Sequence, residues 1–308
     1  MNNQPRTEPP ALANRANRRH CKRATAILAA SLIGAVALSA CGGSSHATVS
    51  APHVAPASTY RLSNFTPAQP VIPGHPTTIS FTIQQPSGKP LTDYRKCCEP
   101  HEGVDLIIVR SDDSHIQYDD SDISAGGHVS QPVVFPTPGR YRIVVDAYPA
   151  HSAPGAPINF QLFTWVTVKG HPQAQKLPPS RPVDVVDGYR FQIHGHHRLK
   201  AIEATFLNIK VTDASGRNAA FGIWRGALAH AIFIRYPSLD YFHTHVCSPG
   251  ARYCTSVLGA ARVTGTSSKP GQLKVGVLLP APGTWRLFLL TYIHGRHIVA
   301  PFTLDASS

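Results

Sequence analysis

Apolar and polar residues alternate in short runs along most of this chain. Thr77-Thr-Ile-Ser-Phe-Thr-Ile-Gln84 and Ala204-Thr-Phe-Leu-Asn-Ile-Lys-Val211 carry the period-two pattern of strands with one face buried, and so do Asn159–Val168 and Arg296–Leu304. Val104-Asp-Leu-Ile-Ile-Val-Arg110 and His230-Ala-Ile-Phe-Ile-Arg235 are rich in β-branched and aromatic residues and also read as strands. Turn chemistry rich in Pro, Gly and Asp separates these runs, and no helical period develops beyond the N-terminal leader. The aromatics Phe81, Phe163, Trp165, Phe206, Trp285 and Phe288 sit at strand positions and are expected in cores.

The pattern occurs twice. Phe135-Pro-Thr-Pro-Gly-Arg-Tyr-Arg-Ile-Val-Val-Asp-Ala-Tyr148 matches Leu279-Pro-Ala-Pro-Gly-Thr-Trp-Arg-Leu-Phe-Leu-Leu-Thr-Tyr292, and Val104–Arg110 matches Ala229–Arg235. The shared Pro-x-Pro-Gly-x-aromatic-Arg step points to duplication. Each half offers about seven short strands, the number and spacing of an antiparallel sandwich. The expected fold is all-β: two tandem immunoglobulin-like or cupredoxin-like β-sandwiches at 59–169 and 188–308, joined by a Pro-rich linker at 170–187.

The N-terminus reads differently. Arg15, Arg18, Arg19, Lys22 and Arg23 precede the apolar stretch Ala24–Leu38, followed by Leu38-Ser-Ala-Cys41. That order predicts a secretory leader over 1–41, too short for a comfortable membrane span. Leu-Ser-Ala-Cys resembles the bacterial lipobox, which implies lipidation at Cys41 and an extracytoplasmic chain anchored to the cell membrane. Residues 42–58, rich in Gly, Ser, Ala and Pro, are expected to form a disordered tether.

Export changes how charge and cysteines are read. Lys and Arg outnumber Asp and Glu by 29 to 17 overall and by 23 to 16 beyond residue 41, leaving +7 without a dense basic block. This suits anionic envelope polymers or headgroups, and a nucleic-acid partner is not expected. Beyond Cys41, the cysteines Cys97, Cys98, Cys247 and Cys254 allow three pairings in an oxidising compartment. The short Cys247–Cys254 loop, with Ser-Pro-Gly at its turn, is the favoured one.

Candidate chemistry gathers between Gly226 and Cys247. Alternation places His243, His245 and Cys247 on one strand face, and a hairpin through Tyr236-Pro-Ser-Leu-Asp240 brings His230 towards it. Three imidazoles suit copper, zinc or nickel. A blue-copper centre is not expected, because Met1 is the sole methionine and no Cys–His spacing of that kind closes the last strands. The alternative is that the histidines are structural, hydrogen-bonded to backbone. His194-Gly-His-His197 and His294-Gly-Arg-His297 read as solvated loops, and Asp112, Asp113, Asp119, Asp120 and Asp122 as a solvated acidic edge lacking Ca²⁺-loop spacing. No nucleophile elbow, His-Glu-x-x-His or phosphate loop is present, so no enzyme activity is expected.

Gly226-Ala-Leu-Ala-His230, Leu239-Asp-Tyr241 and His243-Thr-His245 resemble a motif of exported actinobacterial proteins, similar in turn to YtkA-like and FixH-like extracytoplasmic β-sandwiches, some of which accompany copper handling. The resemblance covers 188–304 directly and 60–168 through the duplication, and it departs at Val246-Cys247, where the motif has Pro. It implies a lipid-anchored binding protein with copper as the candidate ion at His230, His243 and His245. The other expected role is a cell-surface adhesion or scaffold module facing an envelope polymer or protein. The constant offset of 125 residues predicts Asp105, Tyr118 and Asp120 at the places of His230, His243 and His245, with water, Arg110, Lys96 or an ion balancing the carboxylates.

Overall fold

Every regular element among the described residues is a β-strand. The computed structural model describes residues 59–95, 103–151, 159–195, 198–251, 254, 257–258 and 261–308. The expected leader and tether, Cys41, Lys96, Cys97 and Cys98 lie outside them.

The first half contains β1 (Arg61–Thr66), β2 (Pro76–Gln84), β3 (Val104–Arg110), β4 (Ile116–Asp120), β5 (Asp122–Ile123), β6 (His128–Val134), β7 (Gly139–Ala147) and β8 (Phe160–Val168). They form two sheets, ordered β1-β2-β6-β5 and β4-β3-β7-β8. Inward residues of both sheets, among them Phe81, Leu106, Ile108, Val129 and Ile143, make one buried core.

The second half begins with β9 (Val183–Val186), β10 (Tyr189–His194), β11 (Leu199–Lys200), β12 (Thr205–Thr212), β13 (Ala229–Arg235) and β14 (Tyr241–Cys247). After these come β15 (Val257–Leu258), β16 (Ala261–Arg262), β17 (Gly265–Thr266), β18 (Gln272–Val277), β19 (Gly283–Ile293) and β20 (Arg296–Ser307). Its strand order contains both sheets of the first half: β14-β13-β19-β20 repeats β4-β3-β7-β8, and β17-β18-β12-β10 repeats β5-β6-β2-β1. Here the two sheets join through a short parallel pairing of β14 with β17. Two tandem β-sandwiches therefore make up the described chain.

The registers repeat as well. Asp105 stands opposite Asp120 and Ile107 opposite Tyr118, as His230 stands opposite His245 and Ile232 opposite His243. On the other side Asp105 pairs with Asp146, as His230 pairs with Leu290. Equivalent positions are 125 residues apart across the β3–β4 and β13–β14 hairpins and 144 apart from Thr266 on, so 19 extra residues enter the second half between β14 and β17. They contain the β15–β16 hairpin and the Cys247–Cys254 disulfide, whose Cα atoms lie 5.6 Å apart.

The duplicated Pro-Gly-x-aromatic step has a physical cause in both halves. Tyr141 donates its hydroxyl to the Thr137 carbonyl at 3.0 Å, and Trp285 donates its indole N–H to the equivalent Ala281 carbonyl at 3.1 Å. Each ring thereby plugs its core while its polar end ties down the turn before the strand. The glycine sits at φ 137° or 126°, and a Cβ there would come within 3.4 Å of Arg110 or 3.2 Å of Arg235. Only glycine combines that backbone with room for the arginine.

The sandwiches meet along equivalent faces. The sides of β3, β4 and β7 turned away from the first core pack on the corresponding sides of β13, β14 and β19. Ile107, Val109 and Val144 meet Ile232, Ile234 and Phe288 in one buried cluster. This seam explains why all seven residues of β3 are buried: one face lines the sandwich core and the other the neighbouring domain.

Three of the expected core aromatics lie elsewhere. Phe163 is 45 %, Trp165 38 % and Phe206 36 % exposed. Arg142 stacks over Phe163 at 4.4 Å, Arg140 over Trp165 at 4.2 Å and Lys274 over Phe206 at 4.2 Å, so cations cover rings that no core covers. Two members of the acidic run are also not a solvated edge, although Asp122 is exposed as expected. Asp112 pairs with Arg110 and accepts the backbone N–H of Gln175, while Asp113 is buried. The same Arg110 guanidinium donates to the carbonyls of Pro138 and Gln173, clasping the start of the linker to the first domain.

Candidate metal centre at the domain seam

The β13–β14 hairpin puts its three histidines on the seam face. His230 lies directly opposite His245, and His243 is diagonal to it. One ring nitrogen from each lies within 4.8 Å of the others. His230 and His245 are buried, and His243 is half-buried.

The hydrogen bonds of His230 bear on its tautomer. Its Nε2 lies 3.1 Å from the Trp224 carbonyl oxygen, which can only accept. The proton therefore belongs on Nε2, leaving the Nδ1 lone pair directed at His243 Nε2, 3.3 Å away. Two nitrogens about 2.0–2.1 Å from one tetrahedral ion stand about 3.3 Å apart, so this pair fits a shared ion. A carbonyl fixing the ring from behind is the usual support of a ligating histidine. Trp224 reaches this place through the tight turn Trp224-Arg-Gly-Ala227, whose central residues have φ 47° and 67°. Gly226 suits such a turn, which sends Arg225 across the seam.

The first domain supplies the opposite wall. Tyr118 packs edge-on against His230 and His243, with centroids 5.3 and 5.5 Å away. Asp105 is buried and pairs with Arg225 at 3.2 Å, and that guanidinium also lies 4.2 Å over the Tyr118 ring. The partner expected for Asp105 was water, Arg110, Lys96 or an ion. The structure provides Arg225 of the other domain instead, Arg110 being engaged with Asp112. Asp146, also buried, accepts from Asn159 at 2.7 Å and Gln161 at 3.0 Å on one oxygen, and from Tyr148 and Tyr241 at 3.3 Å on the other. Burial pushes its carboxyl up to about 6, with those four donors pulling back. Burial likewise raises the phenols of Tyr118, Tyr148 and Tyr241, so they stay protonated, and Tyr148 and Tyr241 donate to Asp146.

Sequence reasoning found His230, His243 and His245 but not Trp224, Arg225, Tyr241 or Asp146. A lone Asp within the apolar run Ile143-Val-Val-Asp-Ala147 was the available signal, since an acid there must be buried with donors. The remaining histidine clusters stay apart: His194, His294 and His297 are exposed, and His196 and His197 lie outside the described residues. Cys247 is held in its disulfide with Cys254, as expected, and offers no thiolate.

Residues 184–308 match the family model described as Domain of unknown function (DUF8832). No curated protein matches the chain. Among solved structures it is similar to the fibronectin(III)-like modules of Clostridium thermocellum CbhA, at 10 % identity over 81 % of this chain and 93 % of that one, with a TM-score of 0.21. A chimeric titin Z1Z2 gives 14 % identity over 81 % and 99 %, with a TM-score of 0.19. Domains 4 and 5 of the S-layer protein SbsC give 10 % over 82 % and 98 %, with a TM-score of 0.22. At these scores the sandwich architecture rests on the strand pairing itself, and the family match is confined to the second domain, which carries the three histidines.

Proposed function

We propose that this chain is an extracytoplasmic, non-enzymatic binding protein, anchored by lipid at Cys41, that holds a transition-metal ion at His230, His243 and His245. Copper is the first ion to test, by the resemblance to YtkA-like and FixH-like proteins. The observation that carries the reading is the convergence of three ring nitrogens within 4.8 Å, two of the rings being buried. With Cys247 in a disulfide and no methionine beyond Met1, the donors are imidazole nitrogens, which suit Cu²⁺ or Zn²⁺. Calorimetric titration of the full chain with Cu²⁺ and Cu⁺ tests it. Tight binding that disappears in the His230→Ala, His243→Ala, His245→Ala variant supports the reading, and equal binding by the two proteins removes it. Anchoring is tested separately: Cys41→Ala should release the chain from the membrane fraction.

One observation favours a second reading, an adhesion or scaffold module with structural histidines. His230 is packed edge-on against Trp224 at 5.1 Å and against Tyr118 at 5.3 Å, so the rings also serve as seam packing. Retention of an envelope partner by the triple-Ala variant, indifferent to chelators, would favour this alternative.

A further inference from the structure

The metal reading concerns the second domain alone, yet the first domain faces the same rings. Carboxylate oxygens of Asp105 and Asp146 and a ring nitrogen of His243 all lie within 4.8 Å of one another. His243 thus belongs to two triads, one of imidazoles within its own domain and one completed by carboxylates across the seam. Both carboxylates are positioned by donors of their own domain or the other. Arg225 holds Asp105, and Asn159, Gln161, Tyr148 and Tyr241 hold Asp146. Acids so furnished with donors are suited to stand behind a ligating ring rather than on the ion.

The geometry points to an ion site shared between the domains: His230, His243 and His245 bind a divalent ion, and Asp105 and Asp146 of the first domain orient and polarise His243. This rests on the metal reading above. A ligating imidazole must present a lone pair to the ion, and a carboxylate accepting its other N–H fixes that tautomer and raises its basicity. The carboxylates reach His243 only when the sandwiches are docked, so an ion that needs them binds the docked state preferentially and stabilises it by mass action. Occupancy would then be transmitted to the seam, and the first domain serves as the sensor of the ion held by the second. Three nitrogens backed by two acids, with no soft donor, select Cu²⁺ or Zn²⁺ over Cu⁺.

Hydrogen exchange of the full chain with and without Zn²⁺ tests the linkage. Zn²⁺ should slow exchange in β3 and β4 of the first domain as well as in β13 and β14. Protection confined to the second domain overturns the proposal while leaving the metal reading intact. Asp105→Asn and Asp146→Asn should weaken Zn²⁺ binding about 10- to 100-fold, the usual effect of losing the carboxylate behind a ligating histidine. In the Cu²⁺-loaded protein they should also shift the pulsed-EPR signal of the remote imidazole nitrogen. Unchanged affinity and an unchanged signal in folded variants overturn it. If a variant fails to fold, the wild-type exchange comparison decides alone. If the triple-histidine variant binds Zn²⁺ as well as the wild type, the metal reading fails and this inference with it.

Discussion

The two domains share strand order and register, yet they put opposite chemistry at equivalent places. Asp105 and Asp120 occupy the pair of positions that His230 and His245 occupy in the second half. Tyr118 is the counterpart of His243, and Asp146 that of Leu290. The backbone therefore determines where side chains converge, and the residues determine what converges: acids and a phenol on one side, imidazoles on the other. Because the equivalent faces pack on each other, Asp105, Asp146 and Tyr118 meet the imidazoles in one seam instead of forming a separate site.

The comparison is broken most severely by exchanging its least alike pair. Asp146→Leu installs the second domain's residue in the first and leaves four donors without their acceptor. A loss of about 3–5 kcal/mol is expected in denaturant unfolding, as for other buried charged networks that lose one member. Leu290→Asp should lose a similar amount, because the second domain does not provide the amides of Asn159 and Gln161 at that position.

Asp113 gives the next effect. It lies in the β3–β4 turn at φ 57°, and burial first, then the neighbouring Asp112, push its carboxyl up from 3.8 to about 7. The folded chain thus holds this proton more tightly than the unfolded chain does. The stability it contributes is fully present below about pH 4 and is lost as pH rises through about 7. Asp113→Asn, which tolerates that backbone, should stabilise the chain by roughly 4 kcal/mol at pH 8 and leave it unchanged near pH 4. Thermal unfolding at the two pH values checks this.

The insert that only the second domain carries can be tested through its disulfide. Replacing Cys247 and Cys254 with Ser opens a loop of seven-residue separation and should cost about 2–3 kcal/mol. Hydrogen exchange should place the loss in β14 and β17. The smallest effect concerns the shared turn anchor. Tyr141→Phe removes the bond to the Thr137 carbonyl and should cost about 1 kcal/mol in denaturant unfolding.

Much of this was legible in the residues. Period-two alternation locates the strands, the repeated Pro-Gly-x-aromatic step reveals the duplication, and the constant offset fixes the hairpin register that gathers His230, His243 and His245. Alternation shows which side chains share a face but not what covers that face. It therefore misplaced Phe163, Trp165 and Phe206, whose cover is arginine or lysine rather than core. The seam escaped notice for the same reason, although the unbroken apolar run Leu106-Ile-Ile-Val109 suits a strand buried on both sides. The partners of Asp105 and Asp146 depend on domain docking, a long-range contact that no local pattern encodes.

The central claim is that the β13–β14 hairpin binds an ion through its three imidazoles. Anomalous diffraction from crystals of the Zn²⁺-loaded chain tests it most directly. The account predicts a peak about 2.0–2.1 Å from Nδ1 of His230 and equally close to ring nitrogens of His243 and His245. A peak at His194 or His294 instead, or none anywhere along the seam, would contradict it.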